Sequence, residues 1–372
     1  MGKPQSKACE ALLKDIQTEE RTLGELQNKL ASDLARNDLV AVQDDKNGIQ
    51  IVNQILDGLR QKYSQMGCGE LPFPKPTPLP QKTHLLVSNL GTTSSVLRFD
   101  GTTGAFIDVL AEVFPNGDDA SLISDLVLGP NNDVYALIPN YQKLIVINGS
   151  SGNFGDFADS AIVAWAAPDV VAFGPDNNFY IGDGGHVIQR AIGKYSGSNG
   201  AFLGVVAPLT ANIIGGGDLI FGPDGNLYNA CFFSDNRILQ ISPISGNILR
   251  VFASTASAEI VEDGPGAMAF GPDGDLYVGT GYRPASASIA AVLRYDGNSG
   301  AYKGIFVSAH SGGVRRPVGL AFGPAPSHDL FISDTDGGIL RYDRHTGAFK
   351  GVFVPPGSGG LSSPGKLLFR PI

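Results

Sequence analysis

The stretch "AMAFGPDGDLYVG", residues 267–279, decides the fold. A short apolar run, a Gly-Pro-Asp-Gly turn and a second apolar run spell two antiparallel strands across a tight hairpin, the glycine supplying the positive φ such a turn needs. The phrase returns as "DLVLGPNNDVYAL" (125–137), "VVAFGPDNNFYIG" (170–182), "DLIFGPDGNLYNA" (218–230) and "GLAFGPAPSHDLFIS" (319–333). A cut-off copy, "KLLFRPI", ends the chain at 366–372.

The glycine before each repeat's proline, an arginine in the last copy, falls at 129, 174, 222, 271, 323 and 370. A period of this size with four short strands per unit indicates propeller blades. In the copy at 267–307 the strands are A ("AMAF"), B ("DLYVG"), C ("AVLRYD") and D ("AYKGIFV"). Residues 83–110 supply B, C and D with no A before them, and "KLLFRP" is an A with nothing after it. The two ends are therefore expected to complete one shared blade. Strand 366–369 should be innermost beside strand 85–88, closing six blades into a ring and removing the sheet edges that an open array would expose.

The "GPDG…LYVG" hairpin followed by "VLRYDGNSG" (292–300) resembles the NHL-repeat propellers, and the resemblance covers residues 83–372. It implies an all-β, six-bladed β-propeller with four-stranded blades. It leaves function open, because the wider superfamily holds gluconolactonase-like metal-dependent lactonases, amidating lyases, virginiamycin B lyase-like antibiotic lyases and proteins that only bind.

Composition agrees with a turn-rich β protein: 49 Gly and 24 Pro among 372 residues, and only 17% charged residues. The formal net charge of −9 falls mostly on the repeats, which suits cations or neutral ligands and disfavours nucleic acid and anionic membranes. No apolar run reaches the roughly 18 residues of a transmembrane helix. "MGKPQSKACE" lacks the apolar centre of a signal peptide and fits a loose myristoylation pattern at Gly2; the expected reading is an exported segment preceded by Met-Gly.

Before the repeats, residues 1–70 read as an α-helical hairpin. Leu12, Ile16, Leu23, Leu26, Leu30 and Leu34 recur at helical spacing, as do Ile49, Val52, Ile55, Leu59, Tyr63 and Met66. A turn at Asn37–Asp38 lies midway between Cys9 and Cys68, so an antiparallel hairpin sets the two sulfurs side by side. The alternatives are a disulfide, which implies an extracellular or periplasmic setting, and two unrelated thiols. Cys231 is left as a small buried hydrophobe. Such a coiled-coil-like arm is suited to self-association. A linker, 71–82, contains "PFPKPTPLP" (72–80), an extended spacer ahead of the propeller at 83–372.

Blade connectivity sorts the loops into two faces. The A–B and C–D turns ("GPDG", "DGTTG", "SGSNG", "DGNSG") are uniform, whereas the B–C and D–A loops vary, and variation among copies is where a site is grafted. The variable face gathers Tyr141, Trp165, Phe232, Phe233, Tyr282, Asp334 and Asp336 as candidate binding residues. Exposed aromatics stack on sugar rings or pack on a partner, and packing between blades is the competing role.

Asp125, Asp169 and Asp218 begin strand A in three successive blades, and Asp183 ends a B strand. They form a candidate Ca²⁺ or other divalent-cation site, unless each carboxylate caps a loop amide instead. Asp169 is one position out of step. His186, His310 and Glu262 are the remaining candidates for chemistry, with no histidine trio for a zinc site and no nucleophile motif. Two functions follow as expectations. One is an exported binding or scaffold propeller for a carbohydrate, small molecule or protein. The other is a divalent-metal-dependent lyase or hydrolase at the channel mouth.

Overall fold

In a computed structural model the chain divides into two compact units, Met1–Pro80 and Gln81–Ile372. The structure describes scattered positions between 9 and 29 and between 52 and 62. In the second unit it describes 82–90, 94–113, 123–159, 168–183, 190–209, 217–231, 236–255, 264–280, 290–334 and 338–372. The described positions of the first unit are helical. Leu12, Ile16 and Val52 are buried there as the periodicity requires, while Ile55 is 44% exposed. The expected turn at Asn37–Asp38, and with it the hairpin, lies outside the described residues. Cys9 is buried and disulfide-bonded; Cys68 lies outside the described residues.

Among the described residues the second unit is six four-stranded antiparallel sheets. Blade one is built from both ends of the repeats. Its inner strand A, Pro364–Pro371, pairs with B, Thr83–Leu90, in the register Leu85↔Phe369 and Val87↔Leu367. Its C and D strands are Ser94–Asp100 and Phe106–Val113. The A strands of blades two to six are Asp125–Leu128, Pro168–Phe173, Leu219–Phe221, Met268–Phe270 and Pro317–Phe322. Each touches the next around the channel, and the A strand of blade six touches that of blade one. The closing strand thus sits where the truncated repeat places it.

The recurring "AF" and "LY" have one packing reason. At four of the six junctions the strand A phenylalanine of the following blade lies edge-on against the strand B aromatic of the one before. Phe221 meets Tyr180 at 5.1 Å, Phe270 meets Tyr228 at 5.0 Å, Phe322 meets Tyr277 at 4.9 Å, and Phe369 meets Phe331 at 4.9 Å. Strand B is covered on both sides and is buried along its whole length in blades two, four, five and six.

Strand D carries the outer edge, and every blade treats it alike. Against strand C each D strand slips by one residue at Leu110, Phe157, Val206, Phe252, Phe306 or Phe353, and in every blade but the second it slips once more nearer the C–D turn. The bulge turns that side chain inward, as where Phe252 meets Tyr228 at 4.9 Å and Phe353 meets Phe331 at 4.7 Å. It also aims the residue's carbonyl at the C–D turn of the following blade. A Cβ built on Gly246 would lie 1.6 Å from Val206 O, and in the other five blades the same contact falls between 1.8 and 2.2 Å. These turn glycines also hold φ between +68° and +76°. Backbone contact and left-handed conformation together explain why the C–D turns are uniform.

Candidate functional site

The A strands of the six blades begin at one end of the channel. Four residues before the turn Gly or Arg, the six copies carry Asp125, Val170, Asp218, Ala267, Gly319 and Lys366. In the ring, blade one faces blade four across the channel. Lys366 of the closing strand reaches over it, placing Nζ 2.7 Å from Asp218 Oδ1 and 3.4 Å from Asp125 Oδ1.

Each of these carboxylates is also bound to the main chain of its own blade and of the next. Asp125 accepts from Leu126 N and Val171 N, both at 2.8 Å. Asp218 accepts from Leu219 N at 2.9 Å and Met268 N at 2.8 Å. The two aspartates therefore staple blade two to three and blade four to five, and Lys366 ties both staples to blade one. Burial pushes the Asp125 carboxyl up to about 6, with Lys366 pulling it back and Asp218 adding to the rise. Burial also works against the Lys366 charge, but the two carboxylates outweigh it and hold the ammonium above the usual lysine range.

Of the expected cation ligands, then, Asp125 and Asp218 converge, and the charge that offsets their repulsion is Lys366. Asp169 sits in a bulge between the Pro168↔Asp183 and Val170↔Gly182 pairs, so Val170 takes the position its neighbours fill with aspartate. The side chain of Asp183 lies outside the described residues. Among the described residues no group of three His, Cys, Asp or Glu is placed to hold a metal ion.

Asp334 ends strand B of blade six and is 4% exposed. Its oxygens accept from Arg316 N at 2.7 Å and Arg315 N at 3.3 Å, clamping the loop that enters strand A of the same blade. Asn89 does the same in blade one, accepting from Ser362 N at 3.0 Å and Ser363 N at 3.2 Å. Tyr141 is half-buried and packs on the core between blades one and two. His310 is exposed in a left-handed conformation, φ +62°. Trp165, His186, Phe232, Phe233, Glu262, Tyr282 and Asp336 lie outside the described residues.

Sequence reading missed Lys366 and Asn89. Both stand at repeat positions where other copies carry an aspartate, so aligning the copies for charge rather than for aspartate alone was the available signal.

No family model and no curated protein matches the chain. Solved structures do, and they agree on the six-bladed propeller. One, from a nidogen/laminin complex, has a TM-score of 0.58 at 12% identity, covering 77% of this chain and 98% of its own. A gluconolactonase from Xanthomonas campestris has a TM-score of 0.51 at 14% identity, covering 80% and 96%. A streptogramin B lyase has a TM-score of 0.50 at 13% identity, covering 80% and 92%. Identities this low establish the fold alone.

Proposed function

We propose that this chain is an exported binding propeller whose variable face presents aromatic side chains to a carbohydrate. The observation that carries the reading is the use of the channel-end carboxylates. Asp125, Asp218 and Asp334 each accept main-chain N–H groups of the scaffold, and the first two share a lysine. Groups so occupied hold blades and loops in place. That leaves the aromatic positions Tyr141, Trp165, Phe232, Phe233 and Tyr282, with Asp336, as the recognition set. Such side chains offer large apolar faces on which sugar rings stack, with a polar edge left for hydrogen bonding. One of the similar propellers was solved in a complex between two proteins, which is consistent with a recognition role.

A glycan array followed by calorimetry tests this. Wild type is expected to retain at least one oligosaccharide, with affinity about tenfold weaker for Trp165→Ala or Tyr282→Ala and unchanged for Leu249→Ser on an outer strand. Chelator-sensitive turnover of a lactone or cyclic peptide substrate, without glycan binding, would overturn the reading in favour of a metal-dependent hydrolase or lyase.

The exported setting rests on Cys9, since disulfides persist in oxidising compartments. Its proposed partner is Cys68. Non-reducing peptide mapping is expected to recover the two as one linked pair and the buried Cys231 outside any disulfide, alkylated after unfolding. Alkylation of both Cys9 and Cys68 without reductant would remove the pairing and its implication for localisation.

A further inference from the structure

The seam where the last strand closes the ring has side chains that no other blade repeats. Arg370 stands where the other five copies have the turn glycine. Its Nε donates to Asn132 O of blade two at 2.7 Å. Arg98, on strand C of the seam blade, donates through Nη1 to Gly149 O of blade two at 3.3 Å. Two arginines thus fasten the seam blade to its neighbour.

His84 lies between them. On strand B it pairs directly with Arg370 on one side and with Asp100 on the other, Arg98 being two residues along from Asp100. Its Nδ1 is buried and has no hydrogen-bond partner among the described residues. The nearby carboxylates are engaged elsewhere. Asp108 receives Arg98 Nε at 2.8 Å, with a second contact from Nη2. Asp100 accepts Thr102 N at 3.0 Å and Thr103 N at 2.8 Å, and Asp133 of blade two accepts Gly149 N at 3.2 Å.

We propose that His84 is an acid-sensitive latch: protonating it loosens the closing strand from the ring. A proton on the imidazole places a cation directly across from Arg370 and near Arg98, and like charges facing each other across a strand pair repel. It also turns both ring nitrogens into donors, so buried Nδ1–H must find an acceptor that the fold does not offer. Burial, then Arg98 and Arg370, hold the imidazole below its ordinary 6.5, outweighing Asp108 and Asp100. A base with a lowered folded value stabilises the ring above 6.5, and the contribution is lost as pH falls through the folded value.

Hydrogen exchange read by mass spectrometry on the full chain tests the latch. After correction for intrinsic rates, peptides covering 364–372 are expected to exchange faster at pH 5.0 than at pH 7.5. The equilibrium effect is about tenfold for each pH unit the imidazole value lies below 6.5. Peptides covering strand A of blade six should change less, and His84→Gln, neutral throughout, should abolish the difference. Equal protection at both pH values, or an unchanged difference in His84→Gln, overturns the proposal. Should that variant fail to fold, the wild-type His84 titration by NMR decides: a midpoint below 6.5 supports the latch, and one at or above 6.5 refutes it.

Discussion

Replacing Lys366 with methionine is expected to destabilise the propeller by about 3–5 kcal/mol at pH 8, the usual cost of removing one partner from a buried charge cluster. Methionine nearly matches the length of the lysine stem, so the loss is of charge rather than of volume. Asp125 and Asp218, each only 2–3% exposed, would face each other without the ammonium that now lies 3.4 and 2.7 Å away. The deficit should shrink in acid. Without Lys366 the folded-state Asp125 carboxyl rises further above its unfolded value, so the variant gains stability as pH falls through it. Urea unfolding at pH 8 and pH 5 measures both effects. Combining Lys366→Met with Asp125→Asn and Asp218→Asn should recover part of the loss. A loss under 1 kcal/mol for Lys366→Met at pH 8 would mean the cluster is not what binds blade one to the staples.

Ending the chain at residue 363 is expected to have a larger effect still. The deletion removes Leu367, Leu368 and Phe369, which pack against the core on either side of the seam. At roughly 2 kcal/mol per buried apolar side chain, their loss approaches the 5–15 kcal/mol that holds a typical domain folded. It also strips the inner edge of the strand Thr83–Leu90, which is buried along most of its length. A bare apolar edge templates pairing with another chain. The truncated protein should therefore aggregate or fail to accumulate, as size-exclusion chromatography with light scattering would show. A monomeric product with wild-type near-ultraviolet circular dichroism would contradict the seam as described.

The ring was legible because its evidence is repeated. One hairpin phrase at a near-constant period determines strand, turn and blade, and the cut-off last copy determines closure. The channel end was less legible, because identical residue types there have different partners. Asp125 and Asp169 look equivalent in a string of letters, yet a one-residue bulge puts Val170 in the equivalent place. Asp334 reads as a rim carboxylate, but its acceptors meet loop amides, as Asn89 indicates from the matching position in blade one. Local sequence records that an oxygen is present. Which donor it meets depends on a loop arriving from elsewhere in the fold.

The contact between each bulged carbonyl and the next blade's turn glycine runs one way round the ring. Every blade offers a socket on its outgoing side and a plug on its incoming side, so the junctions are heterologous, head to tail, like those between subunits of a cyclic oligomer. The propeller can be regarded as a polymer of six units whose ends happen to meet. With a slightly different rotation per unit, the same plug and socket would propagate an open spiral. Here the first and last repeats supply complementary parts of one unit, so both ends of the repeat region meet in the blade that makes the final junction.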